Sequence, residues 1–398
     1  MEQQSLAGAY FMRELDTSAK RLYPFPVFNQ LRENTPVRYD DLRKCWDVFL
    51  YEDVEMILKN HNLFSAKHKR LVEAENILFM DPPRHRHIRN LVSQAFTPKM
   101  VQNQADTIQR IAAELLDRVI EQGQMNVLQD FASPLTILMI AKLLGVPPED
   151  HRQFREWSER ITKGATGSSE EELQAVVAEH IQVTQELTQF FLDAMEKRRH
   201  RPQDDLITKL LQAEIDGEKL TDKEIVDFCI LLLVAGNETT ANLITNGVRA
   251  LTQYPELQPV IQEQPSSIPS FVTEAVRFYP SVLGTVRIAK QDTELRGQWI
   301  REGEVVSVWI ASANRDPRQF SDPDAFQLDR SPNPHLSFSK GIHYCLGASL
   351  ACLEAELAFA ELFSRITDLR MAESAHLQII PSPPLYGIKE FPLTFQRI

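Results

Sequence analysis

Apolar residues recur at helical spacing over most of the chain. Ile225, Phe228, Leu232, Ala235 and Thr239 follow one another at steps of three and four and so share one face of a long helix. Thr221 and Glu224 form the Ser/Thr-x-x-Glu box that opens such a helix. Residues 101–144 read as helical almost throughout, broken near Gly123 and ended by Gly145-Val146-Pro147-Pro148. Late in the chain Leu346, Leu350, Leu353, Leu357 and Ala360 predict another helix with one apolar face. Period-two stretches are few and short. Residues 36–51 read as a hairpin, with Val37 and Tyr39 and then Trp46, Val48 and Leu50 alternating, and a short helix follows at 53–59. Residues 293–295, 299–300 and 305–310 read as strands turning at Gly297 and Gly303, and 377–395 as two more about Pro381 to Pro384. The pattern predicts a mainly α chain with small β-sheets.

Between these elements lie three polar connections. Residues 161–170, rich in glycine and hydroxyls, predict a mobile link between two helices, and 65–70 and 200–205 are polar breaks. Composition is that of an ordinary globular protein, with 398 residues, 43% hydrophobic and 25% charged. A formal net charge of −12 leaves no broad basic excess to neutralise phosphates, which argues against a nucleic-acid binder. Residues 1–23 mix charges with short apolar pieces, unlike a leader or anchor, and the longest apolar run, 228–235, falls far short of the roughly 20 residues of a membrane span. A cytoplasmic protein with no membrane anchor is expected. Cys45, Cys229, Cys345 and Cys352 form no C-x-x-C pair and no zinc spacing, as suits a reducing compartment. No G-x-G-x-x-G stretch marks a flavin or nicotinamide domain.

Candidate chemistry concentrates in four places. At 338–347, Cys345 stands between Gly341 and Gly347 just before the late helix. The unpaired N–H groups of a helix start favour an anion, so a thiolate is expected there, and the glycines leave room for a flat ligand. Alone, Cys345 reads more readily as a small buried hydrophobe before a core helix. In Ala235-Gly236-Asn237-Glu238-Thr239-Thr240 an acid and a hydroxyl sit beside an apolar stripe two residues after a mid-helix glycine. Such a glycine costs about 1 kcal/mol relative to alanine, and a buried unpaired carboxylate costs more, so room and a proton donor are expected together. Glu274 and Arg277, at i and i+3 among Phe271, Val272, Val276 and Phe278, can pair on one helix face. The same spacing at Glu196 and Arg199 lies in a charged run and reads as solvated. His85 and Arg89 share a face after the Pro82-Pro83 pair and, read alone, are equally solvated charges beside a turn.

Phe338, Gly341, His343, Cys345 and Gly347 together resemble the haem-binding loop of the cytochromes P-450, F-x-x-G-x-H-x-C-x-G. Ser339 and Lys340 depart from the glycine and histidine frequent in bacterial relatives, and Cys352 stands where many carry an arginine. The 235–240 stretch resembles the family's oxygen-activation motif, and 80–89 its D-P-P-x-H-x-x-x-R segment. The resemblance covers the chain and is greatest to soluble enzymes of bacilli that act on fatty acids, terpenoids and steroids. It implies one domain, 1–398, of the family's triangular helical prism, β-rich near 36–51, 284–310 and 377–398, with haem b between the oxygen-motif helix and the Cys-loop helix. Cys345 would ligate iron, and His85, Arg89 and Arg287 would hold propionates. Ala235 and Gly236 would open the helix beside the haem, Thr239 would hydrogen-bond the dioxygen, and Glu238 would feed protons from water. Glu274, Arg277 and Arg330 would hold the haem loop. Leu78, Phe79, Leu232, Val234, Ala235, Val282, Leu283, Val286, Leu385 and Ile388 are the expected substrate walls, apolar and without a fixed charge.

The function so implied is a haem-thiolate monooxygenase acting on a hydrophobic small molecule with O2. Electrons would come from a separate ferredoxin or flavodoxin meeting a local basic patch that includes Lys340, and a monomer is the default. A peroxide-driven peroxygenase is the alternative, against which Glu238 and Thr239 count. A non-catalytic haem sensor is the other, and no output domain is visible for it.

Overall fold

The computed structural model describes residues 12–67, 76–162, 170–373, 376–380 and 384–398. The expected mobile link at 161–170 falls mostly outside these residues, as do 1–11, 68–70 of the polar loop and 381–383. Ten helices position the site: α1 (Phe25–Asn34), α2 (Tyr51–Lys59), α3 (Arg84–Ala95), α4 (Ala105–Asp117), α5 (Ser133–Leu144), α6 (His151–Thr162), α7 (Glu170–His200), α8 (Asp222–Gln253), α9 (Ile268–Phe278) and α10 (Ala348–Arg365). Their ends follow local chemistry. Thr221 accepts from the Glu224 N–H while Glu224 accepts from the Thr221 N–H, so the expected box caps α8. Gly145, at φ 71°, closes α5 in the left-handed conformation that glycine adopts without strain.

The main sheet has the order β1-β2-β6-β5-β3, where β1 is Val37–Asp40, β2 Cys45–Val48, β3 Phe64–Ser65, β5 Thr285–Ala289 and β6 Val305–Val308. β6 runs parallel to β2 and the other pairs are antiparallel. A second sheet joins β4 (Gln124–Asn126), β8 (Pro392–Arg397) and β7 (Ile366–Met371), with β8 in the middle. Residues 101–144 are mostly helical, and the expected break near Gly123 is taken up by β4, where Met125 pairs with Leu393, before residues 127–132 form a π-helix leading into α5. One expectation is corrected here. Residues 305–310 are not all strand, because the chain turns at Trp309 into a short helix, Ile310–Ala313.

α8 runs through the middle of the molecule, packed by α5, α7, α9 and α10. Two helical stretches, residues 127–144 and α8, are long and apolar enough to span a membrane, but 67% and 56% of them is buried against protein, as befits core helices. α10 is covered by α4, α9 and α8. Its deepest face therefore carries Leu350, Glu354, Ala358 and Leu362, while Leu353, Leu357 and Ala360 of the expected stripe are only half-buried. A helix that is apolar on most sides does not announce which side is innermost. At the closing turn of α8, Arg249 donates to the Tyr386 hydroxyl at 2.9 Å and the Leu22 carbonyl at 3.2 Å, and lies 4.4 Å over the Tyr279 ring.

Gly247 sets the approach of α8 to α10. A Cβ there would come within 2.5 Å of Phe359 Cζ, and that ring is fully buried, edge-on to Phe271 at 4.9 Å. Gly247→Ala is expected to destabilise by about 1–3 kcal/mol through overpacking, despite alanine's higher helix propensity. Urea unfolding of the variant checks it.

Candidate active site

Cys345 lies three residues before α10, on a loop in which its own N–H donates to the Phe338 carbonyl at 2.9 Å. The residue is exposed, next to Tyr344, which is 45% exposed. The N–H groups of Gly347 and Ala348 and the charge of Arg89 draw the thiol down, as the helix-start argument expects. Although solvent reaches the residue, the protein packed around the sulfur displaces enough water to outweigh them, and the thiol is pushed up. The two glycines also differ in purpose. A Cβ on Gly347 would meet no described atom within 4 Å, which leaves open space at the cleft. On Gly341, at φ 67°, it would lie 2.9 Å from the Leu58 carbonyl, so this glycine admits the end of α2 and not a ligand. Ser339, in the departed position, also has a positive φ of 61°, which explains why glycine suits it.

Four basic side chains converge beside this loop. The rings of His85 and His343 are 4.4 Å apart, Arg89 donates to the Tyr344 carbonyl at 2.7 Å, and Arg287 acts on His343 from β5. Burial, then Arg287, His85 and Arg89, push His343 down to about 3, and burial followed by Arg89 lowers His85. Nε2 of both histidines is buried with no partner among the described residues. His61, which sequence reading missed, adds to the same positive field. Asp81, which is bonded to Ser65 and the Ala66 N–H, acts on His85 with the opposite sign, and the excess of cations over it fits a ligand that brings carboxylates.

In α8, residues 225–229 are largely buried and 240–251 fully so, yet Leu232, Val234, Ala235, Gly236, Glu238 and Thr239 between them are half-exposed. A central helix with an uncovered middle borders an internal space. The Thr239 hydroxyl donates to the Ala235 carbonyl at 2.6 Å, and the Ser281 hydroxyl donates to the Thr239 carbonyl at 2.7 Å. Burial raises Glu238 to about 7, opposed by a hydrogen bond with Thr162. Ser281 leads into Val282, Leu283 and Val286, all half-buried, with Val282 bridged to Leu385. The substrate-wall residues of α8 and β5 thus meet through Thr239 and Ser281, and β5 carries on to Arg287 and the basic cluster.

Two expected walls are placed differently. Ile388 is 0% exposed and packs in the main core, paired with Ile379, so it borders no space. Leu78 is 46% exposed, beside the half-buried Phe79 on a short 3-10 turn. Alternation in a short strand gives two faces, and sequence alone does not say which is covered.

Glu274 and Arg277 are both 0% exposed. Glu274 accepts from Arg277 at 2.8 and 2.6 Å, from Arg330 Nε at 3.1 Å, from the Gln327 N–H at 3.0 Å and from Asn333 Nδ2 at 3.0 Å. Arg277 also donates to the carbonyls of Asn314, Pro323 and Ala325. The three residues named from the sequence are therefore in one cluster, while Asn333 and Gln327 went unnoticed. Glu196 and Arg199 are exposed and 3.4 Å apart, a solvated pair.

The cytochrome P450 family matches residues 46–371, and the chain belongs to that family, whose members are monooxygenases. Cytochrome P450 109 of Bacillus spizizenii is 45% identical over 383 residues, 96% of this chain and 94% of that protein. Substrate-free CYP109E1 from Bacillus megaterium is similar in structure, with a TM-score of 0.90 and 38% identity over 94% of this chain and 99% of that one. CYP109B1 from Bacillus subtilis gives a TM-score of 0.89 at 37% identity, over 94% and 100%. The fold is the P450 fold, and the kinship is to enzymes of bacilli.

Removing the Glu274 charge leaves Arg277 buried without a counter-ion. Glu274→Gln is expected to destabilise by about 3–5 kcal/mol and to lower haem content, read by chemical denaturation and by the haem-to-protein absorbance ratio.

Proposed function

We propose that the chain is a haem-thiolate monooxygenase that inserts one atom of O2 into a C–H bond of a hydrophobic substrate of steroid, terpenoid or fatty acid type. It uses haem b and acts as a cytoplasmic monomer of one domain, with electrons from a separate ferredoxin or flavodoxin. The observation that carries this reading is the convergence on one cleft of Cys345, a carboxylate-seeking basic cluster and the uncovered middle of α8. Cys345 would ligate iron. His85, Arg89, Arg287 and His343 suit the propionates, and their orphaned nitrogens and mutual repulsion are what two carboxylates would relieve. Phe338, Gly341 and Gly347 shape the loop, and Glu274, Arg277 and Arg330 support it. When bound, haem supplies dioxygen activation, with the thiolate favouring O–O cleavage. Cys345 would bind as the thiolate, the form in which a coordinating cysteine holds a metal.

The chain supplies orientation, dryness and protons. Glu238, held near pH 7, can both give and regain a proton at physiological pH. Thr239 presents a hydroxyl one residue on. Leu232, Val234, Ala235, Val282, Leu283 and Val286 offer apolar walls without a fixed charge, and Leu78, Phe79 and Leu385 extend them. CYP109E1 has been solved in complex with corticosterone, at a TM-score of 0.89 and 38% identity, and with testosterone. Steroids are therefore the first substrates to try here. Lys340, half-buried on the loop, is a candidate contact for an acidic electron donor.

The reduced protein under carbon monoxide is expected to show the strongly red-shifted Soret band of thiolate-ligated haem, absent in Cys345→Ala. A band typical of histidine-ligated haem in the parent would contradict the ligand. Turnover should fall as pH rises through about 7, because Glu238 then loses its proton. Thr239→Ala should uncouple NADH use from product, and unchanged coupling would remove its role.

A further inference from the structure

Within residues 230–239, the uncovered middle of α8, Leu233 and Asn237 alone are buried. Leucine is the ordinary occupant of such a place and asparagine is not, because an amide taken out of water costs free energy unless its polar atoms are bonded. The Asn237 amide is bonded to two other helices. Its Nδ2 donates to Ser158 Oγ of α6 at 2.6 Å, and its Oδ1 accepts from the Thr136 hydroxyl of α5 at 2.7 Å. All three residues are buried. An amide carries both a donor and an acceptor, and a hydroxyl can serve as either, so the bridge is made whichever way the amide is turned.

A second contact lies one turn along α5. A Cβ on Gly236 would come within 3.1 Å of Ile140 Cδ1, so Thr136 and Ile140 meet two consecutive residues of α8. Apolar packing tolerates small slips and turns of a helix. Two short hydrogen bonds to hydroxyls on different helices tolerate far less, because they weaken steeply when misaligned. Successive side chains of a helix point about 100° apart, so a fixed Asn237 also fixes the directions of Glu238 and Thr239. That restraint falls where α8 lacks the all-round cover that orients an ordinary core helix.

We propose that Asn237 is a positioning residue, its amide tying α8 to Thr136 of α5 and Ser158 of α6 so that Glu238 and Thr239 keep one direction into the cleft. This rests on the reading of Glu238 and Thr239 as the groups that act beside the haem. Asn237 stands at the one place between Gly236 and Glu238 that the oxygen motif leaves unspecified, so the motif gives it no part.

The test uses the haem-loaded enzyme and the variants Asn237→Leu, Thr136→Val, Thr136→Ser and Thr239→Ala. Leucine and valine fill nearly the space of the residues they replace and remove the hydrogen bonds. Each protein is reduced under carbon monoxide and its infrared C–O stretching band recorded, since the frequency and width of that band respond to the groups facing the bound gas. Urea unfolding is followed alongside. Thr239→Ala should shift the band. Asn237→Leu should broaden or split it and displace it in the same direction, Thr136→Val should do so to a smaller extent, and Thr136→Ser should return it to the parent position. Should Asn237→Leu fail to load haem, the two Thr136 variants carry the same comparison. A band that moves in Thr239→Ala but not in Asn237→Leu or Thr136→Val, with only the urea midpoint lowered, would mean that the amide serves packing alone. That result would overturn the positioning role and leave Thr239 in place. A band unmoved in Thr239→Ala would remove Thr239 from the haem side, and the inference with it.

Discussion

A carboxylate sealed away from water has to be answered entirely by protein donors, and Glu274 imposes that demand on much of this molecule. Two of its partners, Arg277 and Arg330, are cations, and the others, the Gln327 N–H and Asn333 Nδ2, sit on an irregular segment with little periodic structure of its own. That segment can fold only one way if every bond is to be made. Its ordering is passed on by Asn314, whose Oδ1 accepts from the Leu336 N–H and whose Nδ2 donates to Ser337, which in turn donates to the Val276 carbonyl. Phe338 follows directly and accepts from the Cys345 N–H. The position of the cysteine is thus inherited from a buried charge on a different helix.

α8 answers a different demand. A core helix gains most when covered all round, yet this one stays open for two turns beside Gly236. Beside it, burial raises Glu238, opposed by a neutral hydroxyl and not by a cation. Two carboxylates in one protein are thereby given opposite surroundings. Glu274 is saturated with donors and serves position, whereas Glu238 has one weak partner and is free to trade a proton.

Much of this was legible in the sequence, for physical reasons that differ from residue to residue. The box at Thr221 and Glu224 is local, and local chemistry survives folding. Glu274 and Arg277 were readable because an ion pair at i and i+3 in apolar company has few other uses. The 338–347 loop was readable because its residue types are unusual together. Ile388 and the innermost side of α10 were not, since each depends on what another element covers. The raised thiol of Cys345 escaped for a related reason: a helix start is a local signal, while burial is a property of the whole fold. Asn237 and Ser158 meet only in three dimensions, and nothing at either position marks the other.

The knot at the end of α8 bears on how the chain is made. Tyr386 Oη donates to the Leu22 carbonyl across a separation of 364 residues, and both are held by Arg249. Tyr386 also follows Leu385, which bridges to Val282 on the substrate side. α8 can therefore form early, but its last turn and one wall of the cleft wait until the stretch around Tyr386 has been made and brought back to Leu22. Long-range closures of this kind come late in folding. The cleft reaches its final shape only when contacts far apart in the sequence have closed, so its geometry is set by the slowest events of folding and not by the helices that line it.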